Sequence, residues 1–116
     1  MNNIRQILGA IEGATGISPK AFSTRLISQP PAITYLAYPQ RDNAIVESWR
    51  FQTRVTAESL EEAIGIDAAM RDALCTLADE EKLGSLSIEV NGGGTLEDEA
   101  TGLPQLLTYY DINTKS

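Results

Sequence analysis

Histidine is missing from this chain, and that absence closes more chemistry than any other feature of its composition. No Ser-His-Asp or Cys-His pair can be assembled within it. The usual His-based zinc sites are excluded too, and one cysteine, Cys75, cannot supply an all-thiolate site. That cysteine has no intramolecular disulfide partner, which suits a reducing compartment. Basic residues are also scarce: nine Lys and Arg stand against sixteen Asp and Glu, a net charge of −7. Broad nucleic-acid binding draws its affinity from Lys and Arg that displace counterions, so no nucleic-acid partner is expected. The same acidity disfavours anionic membranes. Apolar runs fall far short of the ~20 residues that cross a bilayer, so no membrane partner is expected. Met1-Asn2-Asn3-Ile4-Arg5 lacks the basic and apolar segments of a signal peptide. The expectation is a protein kept inside the cell where it is made, or released only by lysis.

What is present fits one ordinary domain spanning residues 1–116. Hydrophobic residues make up 42% and charged residues 22%, which are globular values. Ile4, Ile7, Leu8 and Ile11 repeat at helical spacing and predict an amphipathic helix over about 3–12, ended by Gly13 and Gly16. Residues 17–32 read as irregular, with Pro30-Pro31 at the start of a strand. Ala32 to Tyr38 is rich in β-branched and aromatic residues and predicts that strand. A polar connection from Pro39 to Glu47 carries the turn signal Arg41-Asp42-Asn43. In the next strand Trp49, Phe51, Thr53 and Val55 share one face, and Arg50, Gln52, Arg54 and Thr56 the other. This alternation marks an antiparallel strand with one wet face.

Ser59 and Glu62 then form a capping box that opens a helix over about 60–78. Ala63, Ile66, Met70, Ala73, Leu74 and Leu77 make its buried stripe, with Arg71, Asp72 and Asp79 outside. Leu86, Ile88 and Val90 alternate with Ser85, Ser87 and Glu89 in a third strand. A Gly-rich, acidic loop from about 91 to 105 leads to a last strand from Leu106 to Ile112. The predicted fold is α+β: a small, mainly antiparallel sheet in the order α-β-β-α-β-β, with helices packed on one face and a core over about 32–113.

No constellation carries catalysis. Asn91-Gly92-Gly93-Gly94 invites a phosphate-loop reading, but Glu97, Asp98 and Glu99 follow it and would repel phosphate. Those three consecutive carboxylates lack the alternating spacing of a calcium loop, so no metal is expected. Asp67, Asp72 and Asp79 read as solubilising surface charges, and Cys75 as a small buried filler. No catalytic residue, cofactor or metal is assigned. Trp49, Tyr35, Tyr38, Tyr109 and Tyr110 sit at strand spacing, where aromatics form core or interface. Tyr109 and Tyr110 are adjacent and point to opposite faces, so at least one should leave the core. The stretches 39–47 and 91–105 are long for hairpin connections, and without chemistry on them their natural use is protein–protein contact.

With these features on the page, the chain resembles the tail-terminator and tail-completion (neck) proteins of long-tailed bacteriophages or prophages. The residues that carry the resemblance are Ala32-Ile33-Thr34-Tyr35, Arg50-Phe51-Gln52-Thr53-Arg54-Val55, Ser59-Leu60-Glu61-Glu62-Ala63, Met70-Arg71-Asp72-Ala73-Leu74 and Tyr109-Tyr110-Asp111. It implies a structural virion subunit, made in the host cytoplasm and carried in the tail or neck. Such a subunit forms a ring, in this family a hexamer, that caps the tail tube and joins it to the head connector. The partners implied are other copies of the chain, the tail-tube protein and the head–tail connector. A heterologous interface that closes a ring needs a different patch on each side. The contact residues expected on this reading are Trp49, Arg50, Arg54, Tyr109 and Tyr110 on strands, with Gly93, Glu97 and Asp98 in the 91–105 loop. The alternatives are another neck or minor-tail adaptor, or a small monomeric binding module. An enzyme working on carboxylates alone would instead require a deep pocket lined by Asp or Glu.

Overall fold

A strand with apolar residues on alternate positions and a helix with an apolar stripe must bury those surfaces against each other. In the computed structural model, which describes residues 4–22, 29–42, 46–80, 86–99 and 101–115, they do. The elements are α1 (Ile4–Thr15), β1 (Lys20–Ala21), β2 (Ala32–Asp42), β3 (Val46–Thr56), α2 (Leu60–Glu80), β4 (Leu86–Glu97) and β5 (Pro104–Lys115). Five strands form one sheet in the order β1-β2-β3-β5-β4. All pairings are antiparallel except β1 with β2. The fold is α+β, as the sequence predicts, with one strand more than its periodicity reveals. Two residues are too few to show alternation, which is why β1 falls within a stretch read as irregular. Asn43 of the predicted turn and Ser85 of the predicted third strand lie outside the described residues.

The register fixes what each face carries. Trp49 pairs with Ile112, Phe51 with Tyr110, Thr53 with Thr108 and Val55 with Leu106. On the other side of β3, Ile33 pairs with Val55 and Tyr35 with Thr53. These side chains meet α1 and α2 in one core that includes Ile7, Ile11, Ala63, Met70 and Leu74. Phe51 sits at its centre. Its ring stacks on Tyr35 at 5.6 Å and meets the edge of Trp49 at 6.1 Å. Aromatic pairs in these geometries contribute about 1 kcal/mol each beyond the area they bury.

The start of α2 follows the capping logic with one change. The Glu62 N–H donates to Ser59 Oγ at 3.1 Å, but Glu62 Oε1 accepts from the Glu58 N–H rather than from Ser59. Two backbone donors are still satisfied at the positive end of the helix. At 21 residues, α2 is about 31 Å long at 1.5 Å per residue and runs most of the length of the strands.

Two expected loops are corrected. The stretch read as a loop over 91–105 is mostly strand: β4 continues to Glu97, β5 begins at Pro104, and the connection is residues 98–103. The long connection expected from 39 to 47 shrinks likewise, because β2 runs to Asp42 and β3 starts at Val46. In β4 the ladder shifts register between Val90 and Gly93, so Asn91 and Gly92 form a bulge within a strand, and Gly93 and Gly94 pair with β5 instead of lying in a free loop.

Candidate functional site

Both helices lie on one side of the sheet; among the described residues no helix covers the other side, where Leu107 is nevertheless only 6% exposed. The rows of that side follow from the register. Thr34, Arg54, Leu107 and Gly94 form one; Leu36, Gln52 and Tyr109 the next; Tyr38, Arg50, Asp111 and Glu89 a third. The polar positions of β3 alternate with its core positions, which puts long, charged side chains here. Such side chains lay their stems along apolar neighbours while their heads meet water.

The two arginines on this face differ. Arg50 Nε lies 3.3 Å from Asp111 Oδ1, and Asn91 Nδ2 donates to Asp111 Oδ2 at 2.6 Å. This chain across β3, β5 and β4 offsets the Arg50 charge. Arg54 has no carboxylate within ion-pair distance among the described residues. Its guanidinium carbon lies 5.3 Å from the centre of the Phe22 ring, a cation–π contact. Its Nε is buried with no hydrogen-bond acceptor among the described residues. Phe22 is held at the sheet edge by its own N–H, which donates to the Tyr35 carbonyl at 2.8 Å. Beside Arg54, Phe22 and Leu36 are 40% and 39% exposed, and Tyr38, in the row of Arg50, is 41% exposed. A dimple of about 30 Å³ opens between Phe22, Thr34, Tyr35, Leu36, Gln52 and Arg54.

The structure separates the residues that sequence reasoning put forward as contacts. Arg50, Arg54 and Tyr109 lie on the face opposite the helices. Trp49 and Tyr110 do not: at 0% and 1% exposure they are core residues of the helix-covered face. The expectation of contacts through these two is corrected, because both share the face of Phe51 in the ladder. Gly93 shapes β4: a side chain there would meet the carbonyl oxygen of Leu107 on the neighbouring strand. Glu97 ends β4 in an exposed position. Asp98 builds the turn: its carboxylate accepts from Thr101 Oγ1 at 2.6 Å, its N–H donates to Leu103 O and its carbonyl accepts from the Gly102 N–H. The sequence singles out neither Phe22 nor Leu36 as a contact, and Tyr38 only as one of the strand aromatics that form core or interface. For β2 the available signal was apolar residues at both parities, which leaves some on each face.

Two single-residue readings are also corrected. Cys75 is exposed rather than buried. Asp67 is 3% exposed rather than a surface charge. Its carboxylate accepts from Thr108 Oγ1 at 2.8 Å and pairs with Arg71 Nε at 2.7 Å. Arg71 Nη2 also donates to Thr108 Oγ1 at 3.4 Å. Thr108 lies beside Tyr110 on the same face of β5, so a buried carboxylate sits near a buried phenol. Burial pushes the Tyr110 hydroxyl well above its ordinary range; the Asp67 charge adds to this and the Arg71 charge opposes it. The phenol oxygen itself has no hydrogen-bond partner among the described residues. With both carboxylate oxygens engaged, this cluster ties α2 to β5 and presents no reactive group.

Depressions elsewhere offer no better chemistry. The larger, about 310 Å³, lies between the end of α1 and the start of β2, lined by Ile17, Ser18, Lys20, Gln29, Pro31, Ala32 and Ile33. Neither it nor the dimple at Arg54 is lined by Asp or Glu. No cluster of metal-ligating side chains occurs among the described residues. Among these residues, no helix is long and apolar enough to cross a membrane.

No family model and no curated protein matches this chain in sequence. The functional reading therefore stands on the sheet face opposite the helices and on the resemblance carried by the strand and helix segments.

Proposed function

We propose that the chain is a structural assembly subunit: a tail-terminator or tail-completion protein of a tailed phage or prophage that caps a tail tube and joins it to the head connector. The observation that carries the proposal is the one-sided architecture. Two helices cover one face of the sheet, while the other displays exposed Phe22 and Leu36 beside Arg54, which has no carboxylate within ion-pair distance among the described residues, and exposed Tyr38 two rows along. Isolated exposed apolar residues are ordinary on a soluble protein, but a cluster of them next to a charged group marks a contact surface. Its work is assembly; no bond is made or broken. A subunit with different surfaces on its two sides suits a head-to-tail ring, which in the resembled family has six copies.

The test is the solution mass of the purified chain by light scattering across a concentration series. A discrete species near six protomers is the expected result. A monomer at every concentration would remove the self-assembling ring and leave a small adaptor that uses the same face for a different protein.

A further inference from the structure

We propose that the Arg54 patch is the socket for the first turns of α2 from a second copy of this chain, joining copies head to tail. This rests on the assembly reading above and names which surfaces meet. The socket has a buried guanidinium nitrogen without an acceptor among the described residues, a dimple of about 30 Å³, and a rim of exposed Phe22 and Leu36. It calls for an apolar tip flanked by carboxylate. Arginine suits this role, since its planar fork can hold both oxygens of a carboxylate.

The chain carries that complement on its opposite side. At the start of α2, Leu60 and Ile64 are 42% and 52% exposed. They are one helical turn apart and so share a face. Exposed Glu58 and Glu61 flank them. The Glu62 carboxylate already caps the helix, which leaves Glu58 and Glu61 as the available acids. An acidic, apolar helix start thus meets an apolar patch centred on a cation: the charges are complementary and both apolar surfaces leave water. Because α2 covers one face of the sheet and Arg54 lies on the other, a copy cannot fill its own socket. The proposed contact is heterologous, a different patch on each copy, and such contacts close into a ring when the rotation between copies allows.

The experiment compares the wild-type chain with Arg54→Glu and with the double variant Glu58→Lys/Glu61→Lys by light scattering, each first checked for a cooperative melt. The double variant lies on an exposed helix surface, so it reports even if Arg54→Glu does not fold. Each charge reversal should weaken self-association by about tenfold or more. Mixing the two variants should restore pairing, because the reversed charges then match. Wild-type assembly should also weaken as salt is raised from about 50 to 500 mM. If the wild-type chain assembles and the folded double variant assembles equally well, this socket is wrong while the ring reading stands. If the wild-type chain stays monomeric throughout, the ring reading itself fails and takes the socket with it.

Discussion

Tyr110 illustrates how much a single side chain can hold in tension. Its ring fills the core beside Phe51, with centroids 6.2 Å apart, yet its hydroxyl is buried with no hydrogen-bond partner among the described residues. An unpartnered buried hydroxyl costs about 1–3 kcal/mol. Tyr110→Phe keeps the ring and removes that cost, so it should stabilise the fold by about 1 kcal/mol, on the order of 4 °C in melting temperature. The same hydroxyl sets a pH dependence. Burial raises its pKa above the ordinary value, which is near 10 for an unfolded tyrosine. Above about pH 10 the unfolded chain releases this proton while the folded chain keeps it. The unfolded state then binds fewer protons, and stability falls as pH rises. Below about pH 10 the contribution is fully present. Urea midpoints measured from pH 8 to 11.5 should fall more steeply for the wild-type chain than for Tyr110→Phe. Equal slopes would show that the phenol is not held neutral by the fold.

At the scale of elements, the β4–β5 hairpin depends on one glycine. A Cβ at Gly93 would run into the carbonyl oxygen of Leu107, a backbone atom of the paired strand that cannot swing aside. One residue on, a Cβ at Gly94 would meet nothing within 4 Å. Gly93→Ala should therefore cost about 2 kcal/mol or more through backbone strain, and Gly94→Ala less than about 0.5 kcal/mol, the usual range for a surface substitution away from such features. Chemical denaturation of the two variants side by side checks this, and similar costs would mean that the bulge relaxes freely.

The same hairpin shows where sequence stops being legible. β3 and α2 could be read because alternating or helical periodicity runs through their whole length. The first part of β4 could be read from Leu86, Ile88 and Val90; its continuation could not, because Gly92, Gly93 and Gly94 have no side chains with which to express alternation, and a glycine run beside acidic residues looks like a loop. Asp67 was misplaced for a different reason. Its charge argued for the surface, while its spacing, four residues after Ala63 and three before Met70, puts it on the buried stripe. Periodicity outweighed charge because Thr108 and Arg71 satisfy the carboxylate inside. At the candidate site, the arginines were legible as the polar face of β3. The same alternation placed Trp49 with Phe51, so its burial was readable too. Phe22 was not readable, since only the pairing of β1 with β2 brings it beside Arg54.

For the whole molecule, the question is what keeps so open a sheet folded. The radius of gyration is 14.3 Å, slightly above the ~13 Å typical for this length, and the principal extents are 44 × 24 × 21 Å. With both helices on one face, the main core lies in a single layer between the sheet and the helices, and α1 supplies a large part of it. Ile7 and Ile11 are fully buried in the same cluster as Ile33, Val55 and Met70. Each buried Ile truncated to Ala costs about 2–5 kcal/mol. A domain of this size has only about 5–15 kcal/mol of net stability. The double variant Ile7→Ala/Ile11→Ala should therefore lose about 4 kcal/mol or more and lie near the edge of unfolding at 37 °C. Near-ultraviolet circular dichroism, in which the environment of Trp49 is visible, should report the loss of tertiary packing on warming. If the variant instead unfolds within about 1 kcal/mol of the wild-type chain, α1 is an appendage and the sheet must hold itself by other means. If it destabilises as expected, α1 belongs to the minimal folding unit. The socket around Arg54 would then depend on a helix it never touches, because its strands keep their order only while the far side of the sheet stays covered.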